Sequence, residues 1–438
     1  MDRRTFLRAV GAASALLVSR SSEAEAMQQA PGHPTGDAGA ALPSPTPASR
    51  SPRVVPGQPA VVTPNGSTLP LRTVNGRRVG HLVAEPVRHH FAPGLEAEVW
   101  GYNGSSPGPT IEAVVGDRLR LYVTNRLPEP TTVHWHGLVL PNGMDGVSGL
   151  NQRPIPPGQT WVYEFTLRHA GTFMYHPHYD EMTQLALGMA GMFIVHPRVQ
   201  GRPVDRDFVL MTHEWKLEPG ARRPDPTAMN DFNLLTFNSR AFPGTQPLLV
   251  GRGERVRIRL GNLSAMSHHP VHLHGLSFLV TGTDGGDIPT SAQVPQTTVL
   301  VPVGSTRVIE FVPDEPGDWA MHCHMTHHVM TQMGHAPVSI GADLSTVDRR
   351  MSRILPDYMS MGTDGMGSMT EMEMDFPDNS LPMRATPGPF GAIDMGGMFT
   401  ILKVREDPAV DPEGWFVHPP GTVASAADPA AMLADGIA

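Results

Sequence analysis

Gly116-Asp117-Arg118-Leu119-Arg120-Leu121-Tyr122-Val123-Thr124-Asn125 has a second copy in the same chain, Gly253-Glu254-Arg255-Val256-Arg257-Ile258-Arg259-Leu260-Gly261-Asn262. In both, a turn glycine opens a run of alternating apolar and polar residues, the pattern of a strand buried on one face. An Asn-containing turn precedes each copy, Tyr102-Asn103-Gly104 and Phe237-Asn238-Ser239. A second pair keeps the same register. Pro157-Gly158 leads through Val162-Tyr163-Glu164-Phe165 to His176-Pro177-His178, and Val303-Gly304 leads through Val308-Ile309-Glu310-Phe311 to His322-Cys323-His324. The step from glycine to first histidine is identical in the two. Short alternating strands in the same order, twice, predict an all-β chain of two β-sandwich domains.

Composition narrows the chemistry. The 438 residues carry 21 His, 25 Met and one Cys. A single Cys excludes an intramolecular disulfide, Cys-pair zinc sites and iron–sulfur clusters on this chain's own thiolates. With 45 Gly and 45 Pro, turns are many and long helices few. A net charge of −9 argues against a nucleic-acid partner. No run has the about 20 apolar residues of a membrane span.

The histidines are patterned. Residues i and i+2 of a strand share a face, so each His-x-His puts two imidazoles side by side, a poor arrangement for a core. There are four such pairs: His134/His136, His176/His178, His272/His274 and His322/His324. Eight neutral imidazoles suit copper, iron or zinc. Cys323 lies between two of them, so its thiol faces the other side of the strand. His269, His328 and Met333 surround it in sequence, and Cys, two His and a weak thioether are the donor set of a blue-copper centre.

With these motifs in order, the chain resembles the multicopper oxidases, a family built of cupredoxin-like Greek-key β-sandwiches. The resemblance rests on His134-Trp135-His136-Gly137, His176-Pro177-His178, His269-Pro270-Val271-His272-Leu273-His274-Gly275 and His322-Cys323-His324-Met325-Thr326-His327-His328. It implies four coppers per chain. The type 1 copper takes His269, Cys323, His328 and axial Met333. The type 2 copper takes His134 and His272, and the type 3 pair takes His136, His176, His178, His274, His322 and His324. Family spacing selects His269 and His328 over their neighbours His268 and His327. It implies one-electron oxidation of a small-molecule donor, entering by an exposed edge of His269, coupled to four-electron reduction of O2 to water. Asp145 and Glu181 are the candidate acid/base carboxylates, with Asp180 beside the latter.

Between His178 and His269 there is no room for a whole sandwich of about 100 residues, so the chain resembles the two-domain, laccase-like branch. That branch implies a homotrimer whose trinuclear sites form between subunits. A copper nitrite reductase would need a thiolate where Pro177 stands. A copper-sequestering protein that is not an enzyme would need no paired His-x-His sets.

The expected organisation follows. Arg3-Arg4 and Ala24-Glu25-Ala26 mark residues 1–26 as a twin-arginine signal for periplasmic or extracellular export. Residues 27–55 read as a disordered linker. The first domain spans 56–200 and the second 201–406, with a Met-rich insertion at 351–398. A strand is expected at Phe399–Val404, and a loosely ordered tail at 407–438. Thioethers favour Cu(I), so the Met-rich stretch is a candidate Cu(I) collector feeding the type 1 site past Met266. The donor is then either a phenol or aromatic amine, or cuprous ion.

Overall fold

The computed structural model describes residues 58–199, 201–330, 353–354, 378–381, 386–410 and 414–437. The expected signal, linker, Met333 and most of the Met-rich insertion lie outside the described residues. The fold is nearly all β. α-Helix among the described residues is limited to Glu181–Ala186, Pro429–Ala434 and residues 353–354, and none of it is long and apolar enough to cross a membrane.

The two repeat copies become equivalent strands, Arg118–Asn125 and Val256–Asn262, each opened by its glycine at positive φ, +88° at Gly116 and +78° at Gly253. Around the first is a sheet ordered Arg72–Val74, Arg77–Ala92, Arg118–Asn125, Thr160–Thr166, with Leu95–Tyr102 also paired to Arg77–Ala92. It faces a three-stranded sheet of Gly108–Val114, Gly191–His196 and Gly171–Tyr175. Alternate residues fill the space between with Leu119, Leu121, Val123, Trp135, Tyr163, Phe165, Tyr175 and Phe193.

The second sandwich repeats the plan. Arg206–Trp215, Val256–Asn262, Ser305–Phe311 and Phe278–Thr283 form the centre of one sheet. The other runs Leu248–Gly251, Phe399–Arg405, Gly317–Cys323, His269–Leu273, Thr298–Val301. Ile258, Leu260 and Ile309 meet Val271, Met321 and Leu402 in its core. The expected strand at 399 is present. Near the expected first-domain start at 56, Val61–Val62 pairs in parallel with Asp207 and Phe208 of the second sandwich, while Thr63 Oγ1 bonds Thr110 Oγ1 of the first at 2.7 Å. The tail is also anchored at its root, where Phe416 N–H donates to Asp318 at 2.8 Å.

The sandwiches meet through Gly171–Tyr175, which packs on the outer face of Val256–Asn262 and Ser305–Phe311. Arg259 crosses this junction. It holds Asp207 with two 2.8 Å hydrogen bonds and donates to Thr172 Oγ1 at 2.8 Å. Strand Gly171–Tyr175 runs directly into His176, so the junction positions one of the histidine motifs.

Candidate metal centres

The first quartet forms where His134 and His176 pair backbone to backbone. Their rings lie 5.3 Å apart, with His136 and His178 at 5.7 and 5.6 Å from His134. Ring nitrogens are oriented by what they donate to. His134 Nδ1–H donates to the Asp145 carbonyl at 2.8 Å, and His176 Nδ1–H to the Pro177 carbonyl at 2.9 Å. That leaves Nε2 of each as a lone pair, and His176 Nε2 lies 3.3 Å from His136 Nδ1. Nitrogens of His134, His136 and His176 converge closely enough to share one ion. Burial, more than any neighbour, pushes the His176 pKa down to about 3, so the ring is neutral and can ligate.

The second quartet copies these contacts. His322 Nδ1–H donates to the Cys323 carbonyl at 2.9 Å, and His322 Nε2 lies 3.1 Å from His274 Nε2. His272 Nδ1 bonds the Thr297 carbonyl at 2.7 Å, and its ring lies 5.4 Å from that of His324. His322 stacks over Phe399 on the outer face of the five-stranded sheet. The first sandwich packs against the opposite sheet and its quartet meets the second sandwich where His136 lies beside Gly304, so the two quartets are separate groups. Among the described residues no hydrogen bond or ring contact joins them.

Cys323 points the other way, into the core. Its Sγ lies 3.3 Å from His328 Nδ1 and 3.6 Å from His269 Nδ1, and those two nitrogens are 3.2 Å apart. His269 Nε2 bonds Ser264 Oγ at 2.7 Å, which leaves Nδ1 for the cluster. Burial pushes the Cys323 thiol up to about 12 and His269 down to about 3. A buried sulfur that resists ionisation, facing two neutral imidazoles, fits a soft cation whose charge replaces the thiol proton. The expected electron route through His269 needs correcting: its side chain is 0 % exposed, whereas His328 is only half-buried. His328 is the more exposed of the two imidazoles.

Both candidate carboxylates stand at the first quartet. Asp145 Oδ1 is 3.4 Å from His134 Nδ1, and Glu181 reaches His176 at 3.3 Å and His178 at 3.7 Å. Asp180 is exposed at the head of helix Glu181–Ala186. Sequence reasoning missed the residues that hold the motif loops. Asn125 Nδ2 bonds the carbonyls of Glu129 and Ile155, and Asn262 Nδ2 those of Ser267 and Val301, in each case ahead of a His motif. Their place at the end of both repeat copies was the available signal. Thr132 Oγ1 accepts from His178 N–H, and Glu214 Oε1 accepts from Met266 and Ser267 N–H. Nothing in the local sequence marks those two.

Paired sandwiches carrying two imidazole quartets and a buried Cys–His–His group define a metalloprotein of several linked copper-type centres. The chain belongs to the multicopper oxidase family: residues 84–200 and 218–339 match two multicopper oxidase family models, together more than half of its length. It is 42% identical over 129 residues to Laccase-1 of Cryptococcus neoformans var. grubii, covering 28% of this chain and 20% of that protein. It is 30% identical over 243 residues to Copper resistance protein A of Escherichia coli, covering 44% and 40%. The chain thus spans between a fifth and two fifths of the length of these curated relatives. Among solved structures it resembles the blue copper oxidase from Nitrosomonas europaea, at 25% identity and a TM-score of 0.56 over 77% of this chain and 90% of that one. It also resembles the multicopper oxidase mgLAC, at 28% identity and a TM-score of 0.56 over 77% and 89%.

Proposed function

We propose that the chain is a laccase-like oxidase of four coppers, coupling one-electron oxidation of a phenolic donor or cuprous ion to reduction of O2 to water. The observation that carries this reading is the placement of Cys323, thiol against His269 and His328 and carbonyl bonded to His322. Copper bound here would supply one-electron acceptance at the Cys323 group and O2 reduction at the histidine quartets. The chain's own residues do the rest. His328 presents an edge to the donor, the Cys323 backbone joins the two centres, and the Asp145 and Glu181 carboxylates stand beside His134 and His176 as the proton path.

His269, Cys323, His328 and Met333 make the type 1 set, His134 and His272 the type 2 pair, and the remaining six histidines the type 3 set. The separation of the quartets favours completion across subunits. A closed homotrimer brings the first quartet of one chain against the second quartet of the next. Arg3-Arg4 favours export by the twin-arginine route to the periplasm or beyond.

Copper analysis, visible absorption and oxygen uptake on one sample test the reading. Four coppers per chain, a blue thiolate–copper band and uptake with a phenol are expected. Four coppers without uptake would make it a storage protein. The relatives named laccase and copper resistance protein support both donors. Exposed Met266, 65 % accessible and three residues before His269, favours Cu(I). Deleting 351–374 separates the donors, since unchanged cuprous oxidation removes the collector role.

A further inference from the structure

The C-terminal segment is rooted as far as His418, whose ring lies 5.5 Å from that of Phe390. The Gly414 carbonyl accepts from Lys403 Nζ and Arg405 Nη2, both at 2.9 Å. Lys403 lies over Trp415 and Arg405 over Phe416, at 5.4 and 5.8 Å from the ring centroids. Lys403 and Arg405 alternate with Phe399 on the outer face of the sheet that carries the second quartet, so the segment leaves from that face. From Val417 to Ile437 every residue is then exposed except Met432.

Among the described residues, the hydrogen bonds of 419–437 are all internal to that segment. Thr422 bonds the Pro419 carbonyl, and Asp428 caps helix Pro429–Ala434 by accepting from Ala430 N–H at 3.1 Å. A helix this short is not stable alone in water. Leu433 and Ile437 are 71 % and 59 % exposed on a turn that has been capped and started with proline. A capped turn carrying bare aliphatic side chains has the form of a helix that sits in a groove.

A matching groove lies on the first sandwich. A cavity of about 510 Å³ opens on the outer face of the sheet Arg72–Val74, Arg77–Ala92, Arg118–Asn125, Thr160–Thr166, with Leu69, Val79 and Tyr122 in its lining and Arg72, His81 and Thr160 beside them. Val74 and Val162 extend the apolar surface, 49 % and 48 % exposed. Arg77, Arg118 and Arg120 converge on the single carboxylate of Glu164, so this face is basic on a chain of net charge −9. The segment is its complement: beyond Val417 its charged side chains are Asp428 and Asp435, with no Lys or Arg.

We propose that residues 419–437 are an arm that docks in this groove on a second copy of the chain, fastening the ring in which the quartets are shared; this rests on the trimer reading above. The chain's own first sandwich packs behind the opposite sheet, while the arm leaves from the face that turns toward the neighbour. Extended, residues 419–428 reach up to about 35 Å, enough to carry the helix past the shared site.

The test is a full-length Leu433→Cys/Thr160→Cys double variant, oxidised mildly and run on a non-reducing denaturing gel. The proposal expects covalent dimers and trimers. A link within one chain, or an intact ring without links, overturns it. Sedimentation of the chain lacking 419–438 is the second measurement, with ring dissociation expected at protein concentrations at least tenfold higher than for the full chain. An unchanged dissociation overturns the arm and leaves the trimer standing. A full chain that sediments as a monomer overturns both.

Discussion

His322 Nδ1–H donates to the backbone carbonyl of Cys323 at 2.9 Å, and the two side chains leave the strand on opposite faces. One residue thus belongs to the outer histidine quartet while the next closes the buried sulfur group. Cys323→Ser is expected to lower copper by one per chain, remove the blue band and take oxygen uptake to background. The quartet coppers stay, because His322 keeps its backbone acceptor. Metal analysis with electron paramagnetic resonance checks this: loss of all copper would mean that the centres do not form independently.

The junction between sandwiches depends on Asp207. Burial alone would raise its carboxyl pKa, but the Arg259 and Arg257 guanidiniums beside it hold it below the usual range. Asp207→Asn leaves Arg259 buried against a neutral partner, a loss of about 3–5 kcal/mol. Denaturant unfolding measures it. Asp207→Asn combined with Arg259→Met is expected to recover much of the stability, and no recovery would place the fault elsewhere.

Much of this was legible from residue order. The duplicated strands at Gly116 and Gly253 announced two sandwiches because a period of two and a turn glycine are local properties. The His-x-His pairs announced the quartets because strand geometry alone puts i and i+2 together. What was not legible depends on distant chain. The burial of His269, whose Nε2 bonds Ser264 Oγ, depends on the strands around it, and no pattern near His269 says that His328 is the more exposed of the two. The pairing of Val61–Val62 with Asp207–Phe208 joins residues far apart in sequence. The anchored tail depends on Asp318, Lys403 and Arg405, which local composition does not report.

His89 gives a pH signature away from every copper candidate. Its Nε2–H donates to the Ser239 carbonyl at 2.6 Å, and burial, followed by Arg240, pushes its pKa from 6.5 down to about 3. The folded state therefore binds this proton more weakly than the unfolded chain. The stability is fully present above pH 6.5 and is lost as pH falls toward 3, at up to about 1.4 kcal/mol per pH unit. His89→Gln keeps an N–H for Ser239 and should flatten the unfolding free energy between pH 6.5 and 4. An unchanged slope would assign the acid sensitivity to other groups.

Glu214 holds the loop that delivers His269. Its Oε1 accepts from Met266 and Ser267 N–H, the latter at 3.1 Å, and the side chain is almost wholly buried. Glu214→Ala leaves both amides without that acceptor, about 1–3 kcal/mol, and loosens the approach to His269. Glu214→Gln keeps an oxygen in place. The expected order of type 1 signal sharpness in electron paramagnetic resonance is native, then Gln, then Ala. A Gln variant as broad as Ala would mean that charge, not the hydrogen bonds, matters.

Asp145 and Glu181 make different predictions at the same quartet. Asp145 adds its 3.4 Å contact to a His134 Nδ1 already satisfied by the backbone carbonyl at 2.8 Å. Asp145→Asn should therefore leave copper content intact and slow oxygen reduction by about 10- to 100-fold, with a larger solvent isotope effect as proton delivery becomes limiting. Glu181 contacts both His176 and His178 from a half-exposed position. Glu181→Gln keeps one acceptor for those rings and removes the carboxylate between them, so oxygen uptake should slow while copper content stays unchanged. Oxygen uptake against pH in both variants separates the roles. If Glu181→Gln follows the native profile while Asp145→Asn does not, the proton path runs through Asp145 alone.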